Sequence, residues 1–139
     1  MKVLVDTAIW SLVLRRDSKQ NRDYKTELSE LIKEVRVQII GPIRQEILSG
    51  LKSSRQFNEL KKYLSYFIDI EINTRDYELA ASYFNTCRSK GIQGSNTDFL
   101  ICSVAVNNDL EIFTNDKDFQ NFQKYVPIKL YSPRFIKGV

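Results

Sequence analysis

The stretch KVLVDTAIW (residues 2–10) contains the pattern that decides the fold. Residues 2–5 form a short apolar run, which predicts a buried strand ending at Asp6, and residues 7–15 predict a helix. An acid between two apolar segments lies close to the core, where carboxylates are seldom left unpaired. Asp6 is therefore the first candidate functional residue.

The rest of the chain repeats this alternation of short strands and helices. After a polar linker at 16–23, we predict strands at 37–40, 67–72, 111–114 and 127–131, and helices at 24–35, 42–48, 54–67, 74–90, 95–108 and 116–123. The inward faces of three helices are predicted to carry Leu28, Leu31, Ile32 and Val35; Phe57, Leu60, Leu64 and Phe67; and Tyr77, Ala80, Ala81, Phe84 and Cys87. The pattern predicts one α/β domain over residues 1–139, with a parallel sheet covered by helices on both faces.

Composition excludes several classes of site. The chain has no histidine, which rules out histidine-based nucleophilic triads and histidine-ligated zinc. Cys87 and Cys102 form no CxxC pair, so we expect reduced, buried thiols. The N-terminus lacks a signal-peptide pattern and no apolar run could span a bilayer, so we expect a cytoplasmic protein without a membrane partner.

The net charge of +4 gives a modest bias toward anionic partners. The last 16 residues, 124–139, combine basic side chains, among them Arg134 and Lys137, with aromatic ones such as Tyr131. This combination suits an RNA backbone and its bases. A last strand followed by a solvated basic tail would explain the same residues.

Acids fall at the positions where an open parallel sheet places its site, beyond the carboxyl ends of the strands. They follow a strand directly or lie near the start of the next helix: Asp6, Glu46, Asp98 and Asp116. Three of them have a structural explanation of their own, whereas Asp6, at the end of an apolar strand, is harder to explain in that way. Asp98 could complete a capping box with Ser95, Glu46 could be a solvated helix residue, and Asp116 could cap the last helix.

Taken together, these acids favour a metal site. Two unit charges about 5 Å apart repel by roughly 3 kcal/mol at an effective dielectric of 20, so clustered carboxylates need a cation. Oxygen ligands without histidine or cysteine select hard cations, here Mg²⁺ or Mn²⁺. Such a site suits phosphodiester cleavage by an activated water.

These residues resemble the PIN domain family, and in particular its VapC-type toxins from toxin–antitoxin pairs. The resemblance rests on Asp6-Thr7, on Glu46 followed by Gly50, on Asp98 opening an apolar helix, and on TNDKDF at 114–119. It covers essentially the whole chain. Ala8 and Ile9 depart from the pattern, because many relatives carry Ser or Asn near the first acid.

The resemblance implies a parallel sheet of about five strands between helices. It implies that Asp6, Glu46, Asp98 and Asp116 bind the metal and that Thr114 supports the same site, while Asp118 is better explained as a helix-start residue. It further implies a Mg²⁺- or Mn²⁺-dependent endoribonuclease acting on structured RNA such as transfer or ribosomal RNA. A homodimer and a VapB-like antitoxin partner follow from the same resemblance, and helices 24–35 and 54–67 are candidate surfaces for them.

Competing interpretations fail on sequence or remain open. A receiver domain needs paired acids after its first strand, and a haloacid-dehalogenase-type phosphatase needs D-x-D there, but Val5 and Thr7 flank Asp6 and residue 8 is alanine. DNA or flap cleavage would call for long insertions that this chain lacks. A PIN-like module that binds RNA or protein without cutting remains the alternative function.

Overall fold

The computed structural model describes residues 1–14 and 19–136. In chain order its elements are β1 (Val3–Val5), α1 (Thr7–Val13), α2 (Lys19–Lys33), β2 (Val37–Gln38), α3 (Gly41–Leu48), α4 (Ser54–Leu64), α5 (Thr74–Ser89), α6 (Asn96–Asn107), β3 (Glu111–Phe113), α7 (Asp118–Gln123) and β4 (Lys129–Leu130). Residue 15 of the predicted first helix, residues 16–18 of the predicted linker, and residues 137–139, which include Lys137, lie outside the described residues.

The sheet is parallel, with strand order β2-β1-β3-β4. A single parallel bridge between Ile39 and Asp69 lies outside these strands. The predicted α/β fold is confirmed, with four strands and this bridge where about five strands were expected. Because β1 and β3 are neighbours, with Val5 opposite Phe113, their carboxyl ends meet at one edge of the sheet.

Helix α6 forms the centre of the core next to the sheet. Its residues 99–105 are all buried, which explains why its sequence is apolar on every side. It packs against α5 and against β3. Asp98 lies in its first turn, so the core itself fixes where this carboxylate stands.

The strand predicted at 67–72 is wrong, because only Asp69 makes a bridge and Ile68 is 89% exposed. Arg44 explains the difference. Its guanidinium donates to the carbonyls of Leu64 and Phe67 at 2.8 and 2.7 Å and contacts the Asp69 carboxylate at 2.9 Å. This side chain satisfies the loop's polar groups in place of a neighbouring strand.

The buried face of α5 is rotated by about one residue from the prediction. Ala80 and Cys87 are buried as predicted and Phe84 is partly buried, but Tyr77 and Ala81 are exposed while Asp76 and Tyr83 are buried. The Asp76 carboxylate accepts hydrogen bonds from the Asn73 backbone N–H at 3.0 Å and from the Asn107 amide of α6 at 2.7 Å. A polar pair, invisible to hydrophobic periodicity, thus sets the rotation of this helix.

Helices α2 and α4 also differ from the prediction. Helix α2 starts at Lys19, inside the predicted polar linker, and ends at Lys33, so Val35 is exposed with a left-handed φ of 55°. In α4, Leu64 is buried but Phe57 is exposed.

Cys87 and Cys102 are free, buried thiols, as expected. In the part of the chain described, no helix is long and apolar enough to cross a membrane.

Candidate active site at the carboxyl edge of the sheet

Asp6 lies between the central strand and the first helix. Its backbone N–H donates to the Phe113 carbonyl at 2.9 Å, which continues the β1–β3 ladder, and α1 begins at the next residue. The residue is only 5% exposed. The apolar run on either side of Asp6 therefore holds a carboxylate inside the protein, at the point where β1 ends.

The pKa of Asp6 is raised to about 6, chiefly because burial penalises the charged form. The hydrogen bond from the Thr114 hydroxyl and the backbone of Thr7 act in the opposite direction, while the charges of Asp98 and Asp116 raise this pKa further. The carboxylates of Asp6 after β1, Asp98 in α6 and Asp116 after β3 are thus close enough for their charges to affect one another's pKa values.

Thr114 links the first acid to the last. Its hydroxyl donates to Asp6 Oδ2 at 2.8 Å and accepts from the Asp116 backbone N–H at 3.0 Å. Asp116 Oδ1 in turn accepts from the backbone N–H of Asp118, the first residue of α7, at 2.9 Å. Asp116 therefore both supports the start of α7 and stands beside Asp6.

Asp98 completes the capping box that its spacing from Ser95 predicts. Asp98 Oδ2 accepts from the Ser95 backbone N–H, and the Ser95 hydroxyl accepts from the Asp98 backbone N–H, both at 3.0 Å. Burial raises the pKa of Asp98, its bonds with Ser95 lower it, and the charges of Asp116 and Asp118 raise it. Capping and membership of the acid cluster therefore hold at the same time.

Glu46 stands apart from the other candidates. It lies in the second turn of α3 and is exposed. Among the described residues its side chain makes no hydrogen bond or ion pair. The structure thus brings Asp6, Asp98, Thr114 and Asp116 together and leaves Glu46 unconnected to them.

The side-chain oxygens of Asp6, Asp98, Asp116 and Thr114 suit a hard cation, both in the negative charge of the three carboxylates and in the type of atom. All donors are oxygens, and among the described residues no Lys or Arg forms an ion pair with Asp6, Asp98 or Asp116. The Thr7 hydroxyl is buried there without a hydrogen-bond partner. No group of three or more acids or cysteines in the described ranges forms a ready-made ligand set, however. A bound cation would have to draw these oxygens closer.

Sequence reasoning missed a pocket of about 500 Å³ that opens beside the acids. Thr114 and Asp116 line it, and the remaining lining residues come from α2, the β3–α7 loop, α7, β4 and the C-terminal segment: Tyr24, Asn115, Lys117, Gln120, Gln123, Leu130, Tyr131, Ser132, Pro133 and Ile136. The spacing of Gln120 and Gln123, three residues apart on α7, is a local sequence signal that places both side chains on one face of this helix. The contribution of Tyr24 arises only from the tertiary fold.

The basic C-terminal segment is largely occupied within the protein. The carboxylate of Glu27, only 4% exposed, accepts from the Tyr131 hydroxyl at 3.1 Å and from the Arg134 backbone N–H and Nε at 2.6 and 2.8 Å. Arg134 also pairs with Glu34 at 2.7 Å. Arg134 and Tyr131 are among the basic and aromatic residues that suggested RNA contact. In the structure they attach the C-terminal segment to Glu27 of α2.

The profile of the PIN domain family matches residues 3–125. The chain belongs to the PIN domain family. Its matched segment contains every acid described above, from the end of β1 to the start of α7. No relative among the curated proteins matches this PIN domain.

Solved structures show the same fold. The PIN domain is similar to FitAcB from Neisseria gonorrhoeae, with 20% identity and a TM-score of 0.76 over 94% of this chain and 97% of that chain. VapBC2 from Rickettsia felis, bound to a DNA fragment from its promoter, matches with 20% identity and a TM-score of 0.73 over 94% and 98%. A toxin–antitoxin complex from Klebsiella pneumoniae matches with 22% identity and a TM-score of 0.65 over 85% and 90%.

Proposed function

We propose that this PIN domain, acting as one unit over residues 1–139, is a metal-dependent endoribonuclease. The observation that carries the proposal is the buried Asp6 carboxylate, whose pKa is raised by burial and by the neighbouring Asp98 and Asp116. A buried acid held among like charges costs stability unless a cation accompanies it. The proposed substrate is structured RNA, such as transfer or ribosomal RNA. The proposed site of action is the cytoplasm.

Mg²⁺ or Mn²⁺ would be held by Asp6, Asp98, Asp116 and Glu46. When bound, the cation supplies an activated water and charge neutralisation for displacement at phosphorus. The chain's own residues position this chemistry. Thr114 orients the Asp6 carboxylate through its 2.8 Å hydrogen bond, and the capping box fixes Asp98 at the start of a buried helix.

The direct test is cleavage of purified transfer and ribosomal RNA by the full chain. We expect cleavage with Mg²⁺ or Mn²⁺, none in EDTA, and recovery on adding excess metal. The Asp6→Asn variant, purified in parallel, controls for a contaminating ribonuclease. Cleavage that persists in EDTA, or that is equal in the variant, would contradict the proposal.

The non-catalytic alternative also has an observation in its favour, because the described residues hold no ready-made group of three metal ligands. In that case the full chain would bind RNA in a gel-shift assay, with or without metal, and leave it intact. The same protein preparation therefore distinguishes the two functions.

We also propose that the protein is the toxin of a VapBC-type pair, with a VapB-like antitoxin and a homodimeric state. Support comes from the toxin–antitoxin complexes among the matched structures and from a groove of about 620 Å³ on α1, α2 and α4. Its apolar lining includes Trp10, Val13, Leu28, Ile32, Leu60 and Tyr63. Helices α2 and α4 are the two surfaces that the sequence singled out.

Co-expression tests this partner. The product of the reading frame adjacent to this gene should co-purify with the full chain and suppress RNA cleavage, and light scattering should show a dimer of the chain alone. Co-purification should be lost in Leu60→Glu, which places a charge in the groove. Failure of the neighbouring product to bind, or a monomer at micromolar concentration, would count against the assignment.

A further inference from the structure

The pocket beside the acid cluster has features that the acids alone do not explain. It measures about 500 Å³, a size that accommodates a small organic group. Thr114 and Asp116 line it, and Thr114 bonds directly to Asp6. A ligand in this pocket would therefore contact Thr114 and Asp116, which belong to the proposed reaction centre.

The interior of the pocket is aromatic and firmly held. The Tyr24 ring stacks on Phe113 with centroids 6.0 Å apart and an angle of 26°, and Phe135 packs edge-on against Tyr24 at 5.0 Å. Tyr131, another lining residue, packs against Phe113 at 5.1 Å and is fixed by its bond to Glu27. The pocket therefore presents aromatic surface from Tyr24 and Tyr131, and neighbouring side chains hold both rings in place before a ligand enters.

The rim carries polar side chains that are free to bind a ligand. Asn115, Lys117, Gln120 and Ser132 make no side-chain hydrogen bond or ion pair within residues 1–14 and 19–136. Gln123 makes one bond, from its amide to the Ile128 carbonyl at 3.3 Å. Carboxamides both donate and accept, which matches the mixed donors and acceptors along the edge of a nucleobase.

One wall of the pocket is the C-terminal segment, which includes Ser132 and Pro133. The bonds from the Arg134 backbone and guanidinium to Glu27 hold this segment against α2. The wall is thus fixed by a buried carboxylate. A pre-organised wall lowers the entropic cost of ligand binding.

We propose that this pocket binds an unpaired nucleobase of the RNA substrate, next to the phosphate that is cut. The inference deepens the proposed ribonuclease function and rests on it. Aromatic rings would stack on the base, the amides of Asn115 and Gln120 would bond its edge, and Lys117 would face the adjoining backbone. Proteins recognise RNA sequence mainly through such splayed, unpaired bases. The enzyme would therefore select a base in a loop of structured RNA.

The test compares Asn115→Ala and Gln120→Ala with Asn58→Ala, a control that removes an exposed carboxamide from α4, outside the pocket. Cleaved ends from a random-sequence RNA pool are sequenced for each full-length variant. We expect wild type and Asn58→Ala to share a base preference at one position beside the cut. The two pocket variants should lose that preference, with kcat/KM on the preferred substrate falling about tenfold.

A second measurement does not depend on cleavage. The side-chain amide NMR signals of wild-type Asn115 and Gln120 are followed while AMP, GMP, CMP or UMP is added in EDTA, with the Asn58 signal as control. At least one mononucleotide should shift the pocket signals selectively. An acidic peptide is added in a parallel titration, and shifts caused by this peptide but by none of the mononucleotides would assign the pocket to a protein partner and overturn the proposal.

The outcomes separate the two hypotheses. Cleavage whose base preference is absent, or is the same in all variants, would overturn the pocket assignment and leave the ribonuclease standing. Absence of cleavage in wild type, with selective shifts by a mononucleotide, would remove the ribonuclease and support a nucleobase pocket. Absence of both would overturn both.

Discussion

The Thr114 hydroxyl donates a 2.8 Å hydrogen bond to the carboxylate of Asp6, a residue 108 positions earlier in the chain. The bond joins the carboxyl ends of β1 and β3, which pair in parallel. The same hydroxyl accepts from the Asp116 backbone. One side chain thus sets the relative positions of two of the acids.

The first prediction concerns this hydroxyl. Thr114→Val keeps the shape of the side chain but removes the hydrogen bond, so RNA cleavage should fall by about 10- to 100-fold, as is typical for residues that orient a metal ligand. Thr114→Ser retains the hydroxyl and should keep most activity. Equal activity in the Val and Ser variants would show that the hydroxyl orients nothing that the reaction needs.

The second prediction is a pH-dependent gain of stability in Asp6→Asn. The pKa of Asp6 is about 6 in the folded protein, against 3.8 for an unperturbed aspartate. The folded state therefore binds the proton more tightly than the unfolded state does. Asp6 therefore contributes a loss of stability to wild type as the pH rises from about 4 through 6, and the variant lacks this contribution. In EDTA at pH 8 the variant should be more stable by about 2–3 kcal/mol, a difference that vanishes near pH 4.

Urea unfolding at both pH values measures this difference. Adding Mg²⁺ at pH 8 should stabilise wild type more than Asp6→Asn, because a cation that binds the folded site raises the free energy of unfolding. A variant that is less stable than wild type at pH 8 in EDTA would show that the charged Asp6 carboxylate does not destabilise the folded protein.

The third prediction separates the two roles of the α6 N-terminus. Asp98→Asn can still accept the Ser95 backbone hydrogen bond, so the fold should persist while cleavage falls by at least about 100-fold. Ser95→Ala removes the hydroxyl that accepts from the Asp98 backbone N–H but keeps the backbone N–H that holds the Asp98 carboxylate, so it should cost about 1 kcal/mol in unfolding free energy with activity largely kept. The reverse pattern would make capping the whole role of Asp98.

The fourth prediction addresses Glu46, which the structure leaves unconnected. If it joins the metal-binding acids, Glu46→Gln should raise the Mg²⁺ concentration needed for half-maximal cleavage by about tenfold or more. Glu78→Gln, which changes an exposed acid of α5, should leave the metal response unaltered. Identical metal titrations for both variants would identify Glu46 as a solvated helix residue.

The fifth prediction concerns Gly94, just before the α6 cap. A Cβ at Gly94 would lie 2.6 Å from the Phe122 ring and 2.9 Å from the Phe99 ring, whose centroids are 4.7 Å apart. Gly94→Ala should therefore cost about 1–3 kcal/mol. Gly41→Ala, whose nearest atom lies at 3.9 Å, is the control and should change stability by less than about 1 kcal/mol. Equal thermal stability of the two variants would show that the rings move aside.

Sequence alone predicted the parts of the fold that depend on local pattern. The apolar run ending at Asp6 and the wholly apolar α6 both appear where periodicity placed them. It failed where a polar side chain overrides periodicity. Arg44 bonds the carbonyls of the loop that alternates like a strand, and Asp76 bonds Asn107 and rotates α5.

The candidate site shows the same division. The positions of Asp6, Asp98 and Asp116 relative to strands and helices followed from the sequence, because strand ends and helix starts carry local signals. The nucleobase pocket did not, since Tyr24 reaches it from α2 and its wall depends on the bond between Glu27 and Arg134. Contacts between distant segments leave no local trace.

The strand order β2-β1-β3-β4 has a consequence for how the protein is made. Strand β1 leaves the ribosome more than 100 residues before its neighbour β3 is synthesised. Until that neighbour inserts, Asp6 lacks both Thr114 and Asp116. The acid cluster therefore cannot assemble on the growing polypeptide until β3 and the loop that follows it have been synthesised.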